Sequence, residues 1–441
     1  MMKKLLPIFA AAIFAAAMAI APAAHAQIKM NIVGPGSQLS SIAVSRLKSL
    51  SGDDNHQVSG AFVAVLTRDL ELSGYFRLIS PHAYIEDPQQ SGYELGQFNF
   101  ADWRSINADF LVKGAVTISG RNVQLTAMLY DVAQQRRMMG KNFTGSVADA
   151  PRMARRFADA ILEATTGQQG PFDTRLAFVS TGSSRFKEIY TQTIDGGDLF
   201  RRTDNPTINL FPSFDRSARY LLYLSYKSGE PALYLADLAQ KIETKITSSR
   251  GMVIGGAISP DGRQIAAAVE HGGTTNLYLL DRSGAEISKL THTSGINVSP
   301  AFSPDGASLA FTSDRSGTPQ IYVMPLSGGD ARRLTYRGDY NTTPAFSPKG
   351  DRIAYQSRSG GRFDIFVIPV AGGDPAKVTD GQGSNESPAW SPDGRYLAFS
   401  STRGGHSRIY LLMVQSGKII SALTEGKGND TSPAWSWWLG E

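Results

Sequence analysis

The sequence predicts a two-domain protein of the α/β plus all-β class: a small N-terminal α/β domain followed by a six-bladed β-propeller closed by its C-terminal strand. Three observations carry this. A unit built around Ser-Pro-Ala-Phe-Ser-Pro-Asp-Gly recurs along the C-terminal part of the 441-residue chain. An incomplete unit stands at each end of the array. Upstream of it, helical and alternating apolar spacings are mixed in one stretch.

The fullest copies of the unit start at Ser299, Pro344 and Pro388, with weaker ones at Gly256 and Pro212. The large apolar residue of each copy falls at Phe214, Ile258, Phe302, Phe346, Trp390 and Trp435, in steps of 44 residues and a last one of 45. A threonine keeps the same beat at Thr203, Thr247, Thr291, Thr335, Thr379 and Thr424. Periods of about 40–50 residues belong to solenoids, propellers or arrays, and the content of the unit decides among them. In the copy at Pro300, residues 300–303 read as a strand and Ser303-Pro304-Asp305-Gly306 as a turn, with proline presetting φ and glycine free to turn. Residues 308–312, 320–324 and 332–335 read as three further strands, separated by turns at 314–317 and 327–330. Four strands at this period make one propeller blade. No amphipathic helical window appears inside the units to support a two-helix repeat.

The ends explain the closure. The last unit stops after Ser432-Pro433-Ala434-Trp435-Ser436, a first strand without companions. Residues 176–179 and 188–190 resemble a second and a third strand without a first, followed by a turn at Asp195-Gly196-Gly197-Asp198 and a fourth strand over 200–203. The C-terminal strand is therefore expected to complete the blade begun near Leu176, which closes the ring and removes an exposed edge.

Residues 1–26 read as a signal peptide. Lys3 and Lys4 are basic, residues 5–21 are apolar, and Ala24-His25-Ala26 places the cleavage between Ala26 and Gln27. An uncleaved anchor is the alternative, although the apolar stretch is short for a span and no later stretch is long enough. The chain has no cysteine, which excludes a lipobox, disulfides and thiol catalysis. The expected compartment is the periplasm. About 415 residues remain after cleavage, enough for two or more domains. The net charge is +5, and basic residues are scattered apart from pairs such as Arg136-Arg137 and Arg155-Arg156. The charges read as solvated surface, and nucleic acid is not an expected partner.

Residues 27–168 carry the α/β texture. Residues 28–33 alternate like a strand, and 58–72 have helical spacing with Phe62, Val65, Leu66 and Leu70 on one side. Strands are expected over 75–79, over 108–112 running into 116–118, and over 123–130 after a turn at Gly120-Arg121-Asn122. Residues 149–165 place Met153, Phe157, Ile161 and Leu162 at helical offsets, with Asp149 as N-cap, Pro151 in the first turn and Gly167 as the stop. Residues 169–175 are the expected linker, and 176–441 the propeller.

Catalytic and metal signatures are missing. There is no Gly-x-Ser-x-Gly elbow and no His-Glu-x-x-His. His56, His82, His271, His292 and His406 are scattered, with no two at ligand spacing. Gly34-Pro35-Gly36-Ser37 has no lysine partner and reads as a turn, and each Asp-Gly pair brings one acid, which suits a hairpin turn better than a calcium loop. No catalytic residue, metal site or cofactor is expected. The repeated Phe and Trp residues read as core, and Trp437-Trp438 as a seal on the closing blade, with an exposed patch as the alternative.

A binding surface remains. Loops leading into the innermost strands ring one mouth of a propeller channel. Here they contain Met252, Asn297 with Val298, Tyr340-Asn341-Thr342, Asn385-Glu386 and Asn429-Asp430. They vary between blades while the strands hold their pattern, and they mix polar with exposed apolar side chains as interfaces do. Ordinary solvated loops are the alternative.

This combination resembles the TolB family of the Tol-Pal envelope system. The resemblance rests on the cleavable signal, the small α/β domain, the tandem Pro-Ala-Trp/Phe-Ser-Pro-Asp-Gly units with endings such as Arg332-Arg333-Leu334-Thr335, and the terminal Ser-Pro-Ala-Trp-Ser. It covers nearly the whole mature chain, although the repeat alone is shared with prolyl oligopeptidase-like propellers. It implies a non-enzymatic adaptor, a monomer within its complex, that supports outer-membrane invagination at cell division and envelope integrity. The propeller mouth, with Met252, Asn297, Val298, Tyr340, Asn341, Thr342, Asn385, Glu386, Asn429 and Asp430, is implied to bind Pal, a peptidoglycan-associated outer-membrane lipoprotein. The N-terminal segment Gln27, Ile28, Lys29, Met30, Asn31, Ile32 and Val33 is implied to meet TolA, which is anchored in the inner membrane. Other outer-membrane lipoproteins or bacteriocins are further candidates. The competing reading is a secreted propeller hydrolase or lactonase with its site in the central channel.

Overall fold

The structure is a computed structural model that describes residues 39–52, 57–182, 185–246 and 250–440. The signal segment, the Ala26-Gln27 cleavage, the partner segment Gln27 to Val33 and Thr247 lie outside the described residues.

The N-terminal domain is a mixed sheet of β1 (Ser40–Val44), β2 (Lys48–Ser49), β3 (Phe76–Leu78), β4 (Phe110–Ser119), β5 (Asn122–Asp131) and β6 (Arg136–Ser146). Its order is β3-β1-β4-β5-β6, with β2 beside β4. The crossover from β1 to the parallel β3 runs through helix α1 (Gln57–Ser73), and α3 (Ala150–Thr166) lies beside it. Val58, Phe62, Leu66 and Leu70 of α1 and Met153, Phe157 and Ile161 of α3 are buried against Val112, Val116, Leu125 and Leu129 of the sheet. The opposite face is covered by α2 (Phe100–Ser105) and the stretch before it, where Trp103 and Phe100 pack on Tyr130. The buried Lys113 pairs there with Glu86 and lies 4.8 Å from the Phe98 ring.

Gly167 ends α3 as expected, at φ +77 with its N–H donating to the Glu163 carbonyl at 2.8 Å. Asp149 differs in detail. Its carboxylate accepts from the Ser146 N–H and hydroxyl, at 2.7 Å each, and so staples the turn before the helix instead of capping the helix itself.

The propeller has six four-stranded antiparallel blades. In the closing blade the chain's last strand, Asp430–Trp435, pairs with Leu176–Ser180, in register Asp430 to Ser180 and Trp435 to Leu176. Glu188–Gln192 and Phe200–Arg201 complete it. The expected closure is therefore present. In five blades an aromatic pair faces across the second and third strands: Phe178–Tyr190, Tyr223–Tyr234, Phe311–Tyr322, Tyr355–Phe366 and Phe399–Tyr410, with centroids 5.9–6.2 Å apart. Such pairs are the unit of sheet stabilisation.

The repeated turn works through its serine. Ser259, Ser303 and Ser391 donate to Asp261, Asp305 and Asp393 at 2.5–2.6 Å, and each hydroxyl accepts the N–H five residues on. Gly262, Gly306, Gly350 and Gly394 sit at φ of +70 to +73, a conformation costly for other residues. Where Lys349 replaces the aspartate, Ser347 turns to Asp351 instead, at 2.7 Å.

The N-terminal domain sits on the end of the propeller that carries these turns. The Tyr396 hydroxyl donates to the Ser73 carbonyl at 2.7 Å, and Arg155 of α3 pairs with Asp195 and Asp198, both at 3.1 Å. Leu176, Phe178, Ile409, Leu411 and Leu423 of the blades join the core cluster of the two helices. Residues 170–174 are buried. Asp159 accepts the Phe172 and Asp173 N–H groups, and the Trp438 indole donates to the Gly170 carbonyl at 2.7 Å. No helix among the described residues is long and apolar enough to cross a membrane.

Candidate functional site: the propeller mouth and channel

Antiparallel order places the loops entering each first strand, and the hairpins joining second to third strands, at the end away from the N-terminal domain. Among the described residues these loops are fastened by buried polar clasps that use the threonines of the repeat, Thr203, Thr291, Thr335, Thr379 and Thr424. Thr335 donates to the side-chain amide oxygen (Oε1) of Gln320 at 2.7 Å and accepts the Ile321 N–H at 2.9 Å. Asn341, at the start of the next blade, donates to the same Gln320 oxygen at 2.8 Å. Thr379, Asp364 and Asn385 repeat this, as do Thr203, Glu188 and Asn209. Around Asn297 the amide donates to the Thr275 carbonyl at 2.8 Å, and its oxygen accepts from Arg315 at 2.8 Å. Arg315 in turn lies over the Phe311 and Tyr322 rings, at 5.1 and 4.8 Å.

These clasps take up four of the residues expected at the mouth. Asn297, Asn341 and Asn385 are 0% exposed and Asp430 is 4% exposed. Their side chains fasten blade to blade, Asp430 through Arg408 at 3.6 Å. The other expected residues lie nearer the surface. Met252 is 41% exposed and Asn429 is exposed, whereas Val298, Tyr340, Thr342 and Glu386 are half-buried. Tyr340 packs edge-on to Phe363 with the Arg358 guanidinium 4.7 Å from its ring, and Glu386 accepts the Ser384 hydroxyl at 2.7 Å.

Sequence reasoning missed most of the apolar rim. Ile208, Phe211, Tyr226, Ile296 and Tyr336 are 37–72% exposed around the same mouth as Met252. The available signal was a large apolar residue just before a blade's first strand, as at Ile208 and Ile296, where turn chemistry favours small polar ones. Large apolar groups gathered on one exposed face mark an interaction surface.

Below the rim lies a channel cavity of about 540 Å³. Its wall repeats one irregularity. A bulge in each first strand shifts the register, as between Val298 and Ala301 or Thr342 and Ala345. Phe211, Ser299, Thr343, Ser387 and Ser432 sit at these bulges with φ of +52 to +54, and each precedes a proline. A threonine at positive φ is uncommon, and such strain persists only where the surroundings over-determine it. The one charged side chain of the wall is Arg216, whose guanidinium lies 4.2 Å from the Trp437 ring at the turn end. Trp437 thus faces the channel, while Trp438 anchors residues 170–174. Among the described residues no three His, Cys, Asp or Glu side chains gather to hold a metal ion.

Fold and site together define a two-domain propeller protein with an apolar-rimmed channel open away from its N-terminal domain. Residues 162–381 and 342–437 match the family model described as the TolB beta propeller domain, and residues 28–138 match the TolB amino-terminal domain. The chain belongs to the TolB family. It is 39% identical over 233 residues to the Tol-Pal system protein TolB of Desulfosudis oleivorans, covering 53% of each chain. It is 36% identical over 270 residues to that of Anaeromyxobacter sp. (strain K), covering 60% of this chain and 61% of the relative. The aligned stretch spans about half the length of the first of these relatives. The crystal structure of TolB from Acinetobacter baumannii superposes with a TM-score of 0.77 at 24% identity, over 91% of this chain and 98% of that one, a likeness of fold. A chain of a nidogen/laminin complex superposes with a TM-score of 0.50 at 14% identity over 60% of this chain and 98% of that one, again a likeness of fold.

Proposed function

We propose that the protein is a non-enzymatic periplasmic adaptor whose propeller mouth binds the peptidoglycan-associated lipoprotein Pal and whose N-terminal region meets TolA, supporting envelope integrity and outer-membrane invagination at division. The observation that carries the reading is the apolar rim of Ile208, Met252, Ile296 and Tyr336 around a mouth that the N-terminal domain leaves open. A closed ring of clasped blades holds this surface rigid, so binding orders few loops. Anchors of this kind, surrounded by half-buried polar neighbours such as Glu386 and Tyr340, fit the pattern of a few dominant contacts within a larger interface.

Affinity capture tests it. Tagged mature protein is mixed with detergent-solubilised envelope, beside the double variant Ile296→Asp, Tyr336→Ala. The reading predicts recovery of a peptidoglycan-binding lipoprotein, reduced roughly thirtyfold or more by the double variant, as loss of one dominant contact of about 2 kcal/mol does, with the melting temperature unchanged. Failure to recover any envelope lipoprotein, or equal recovery by the variant, overturns it.

A further inference from the structure

We propose that the outer edge of β6 is a second docking site, which takes an extended, acidic segment of a partner as an added strand of the N-terminal sheet. The first observation is its length. β6 ends the sheet and runs for 11 residues. The opposite edge, β3, has 3 residues, and the outermost strands of the six blades have only 2 to 5. Proteins shorten or cover their edges because unpaired N–H and C=O groups template further pairing. Among the described residues the first strands of the blades, of 6 or 7 residues, are edges turned to the central channel, and of the outward edges only β6 is long. The ladder to β5 satisfies one side of the strand, and no described strand pairs with the other.

The second observation is charge, which decides among occupants. The strand carries Arg136, Arg137 and Lys141 and no acid. Among the described residues neither arginine meets a carboxylate: Arg136 donates to the Gln134 side chain at 2.5 Å, and Arg137 contacts the Met128 sulfur at 3.9 Å. Two copies paired edge to edge would bring these cations together, which is unfavourable directly across a strand pair. An acidic strand gains where a second copy loses. The local backbone suits close approach as well. Gly140 has the Met128 sulfur where a Cβ would stand, and the half-buried Met138, Met139 and Phe143 give an adaptable apolar margin. Added strands bind through main-chain hydrogen bonds and gain specificity from alternate side chains. The site is separate from the propeller mouth and does not rest on what binds there.

Amide hydrogen exchange on the full mature chain tests this with two capped probes, Thr-Glu-Val-Glu-Val-Glu-Val-Thr and the same peptide with lysine for each glutamate. The acidic probe is expected to slow exchange within residues 136–146 by roughly tenfold, more at low salt than at high, and the lysine probe to leave it unchanged. The triple variant Arg136→Glu, Arg137→Glu, Lys141→Glu should exchange the two preferences. The wild-type comparison of the two probes stands alone if that variant folds poorly. Three results overturn the proposal. The first is equal protection, or no protection, by both probes. The second is protection that grows with protein concentration alongside dimer formation, which makes the occupant a second copy. The third is protection in the free protein that vanishes when residues 27–38 are removed, which makes the occupant the chain's own N-terminal segment.

Discussion

Asp69 in α1 is fully buried where the two domains meet, and neither of its carboxylate oxygens has a hydrogen-bond partner. Burial, and then the charge of Asp195, push its pKa well above the usual carboxylate range, against the pull of Arg155. The folded state thus holds this proton more tightly than the unfolded chain, whose carboxyl titrates at about 4. The stability contributed by the neutral carboxyl is complete below that value and is lost as pH rises through the folded-state pKa. Asp69→Asn keeps the neutral form at every pH. It is expected to raise the melting temperature near neutrality, with a gain that vanishes below about pH 4. Thermal melts of both proteins across that range check this, and an unchanged or lowered melt near neutrality counts against it. Asn385 makes the opposite case. Its amide ties Asp364 to Arg403 between two blades, so Asn385→Ala should cost about 1–3 kcal/mol in denaturant unfolding by leaving buried partners unpaired, with lipoprotein capture preserved in the folded fraction. Asparagines such as Asn341 and Asn385 read as mouth residues in the sequence because a loop asparagine and a buried clasp look alike until the neighbouring blade is in place.

At the scale of the element, the first strands pack a large apolar residue against the preceding blade, as Phe302, Phe346 and Trp390 do. Trp390 is 7% exposed and its indole donates to the Ala345 carbonyl of the preceding blade at 3.0 Å. Trp390→Ala is expected to cost about 3–5 kcal/mol, read from the midpoint of denaturant unfolding. A loss under about 1 kcal/mol would show that the seam repacks around the gap. The blades were legible because four units repeat the same serine turn and all keep the same apolar beat, so even the half-blade beginning at Leu176 could be matched to Trp435. The N-terminal domain was legible where one face dominates, as with Phe62 and Leu66 in α1. It was not legible at β6, whose edge position leaves no residue buried and removes the alternation, nor at α2 and the short β1 and β2, which offer too few residues to set a period. The aromatic pairs such as Phe311–Tyr322 stood in the sequence at a regular interval, but their facing geometry needs the register of two strands.

At the scale of the whole molecule, closure and domain packing act together. The last strand completes the first blade, and the residues that follow it reach the segment before the propeller, where Arg152 of α3 binds Asp173 at 3.1 Å and the Leu439 carbonyl at 3.0 Å. Removing residues 430–441 would open the ring and release the clamp on the N-terminal domain at once. Calorimetry of that truncation is expected to show propeller unfolding at a lower temperature and over a broader range than in the full mature chain, whereas an unchanged transition would mean that the blades do not need the closing strand.

The open, apolar mouth is the proposed binding site of the lipoprotein. The most direct measurement compares the affinity of purified mature protein for the soluble domain of Pal among the wild type, Met252→Asp with Ile296→Asp at the mouth, and Lys349→Glu at the turn end. A loss of roughly thirtyfold or more is expected for the mouth variant, with the turn-end variant close to wild type. Equal affinities for all three, or a loss confined to Lys349→Glu, would contradict it.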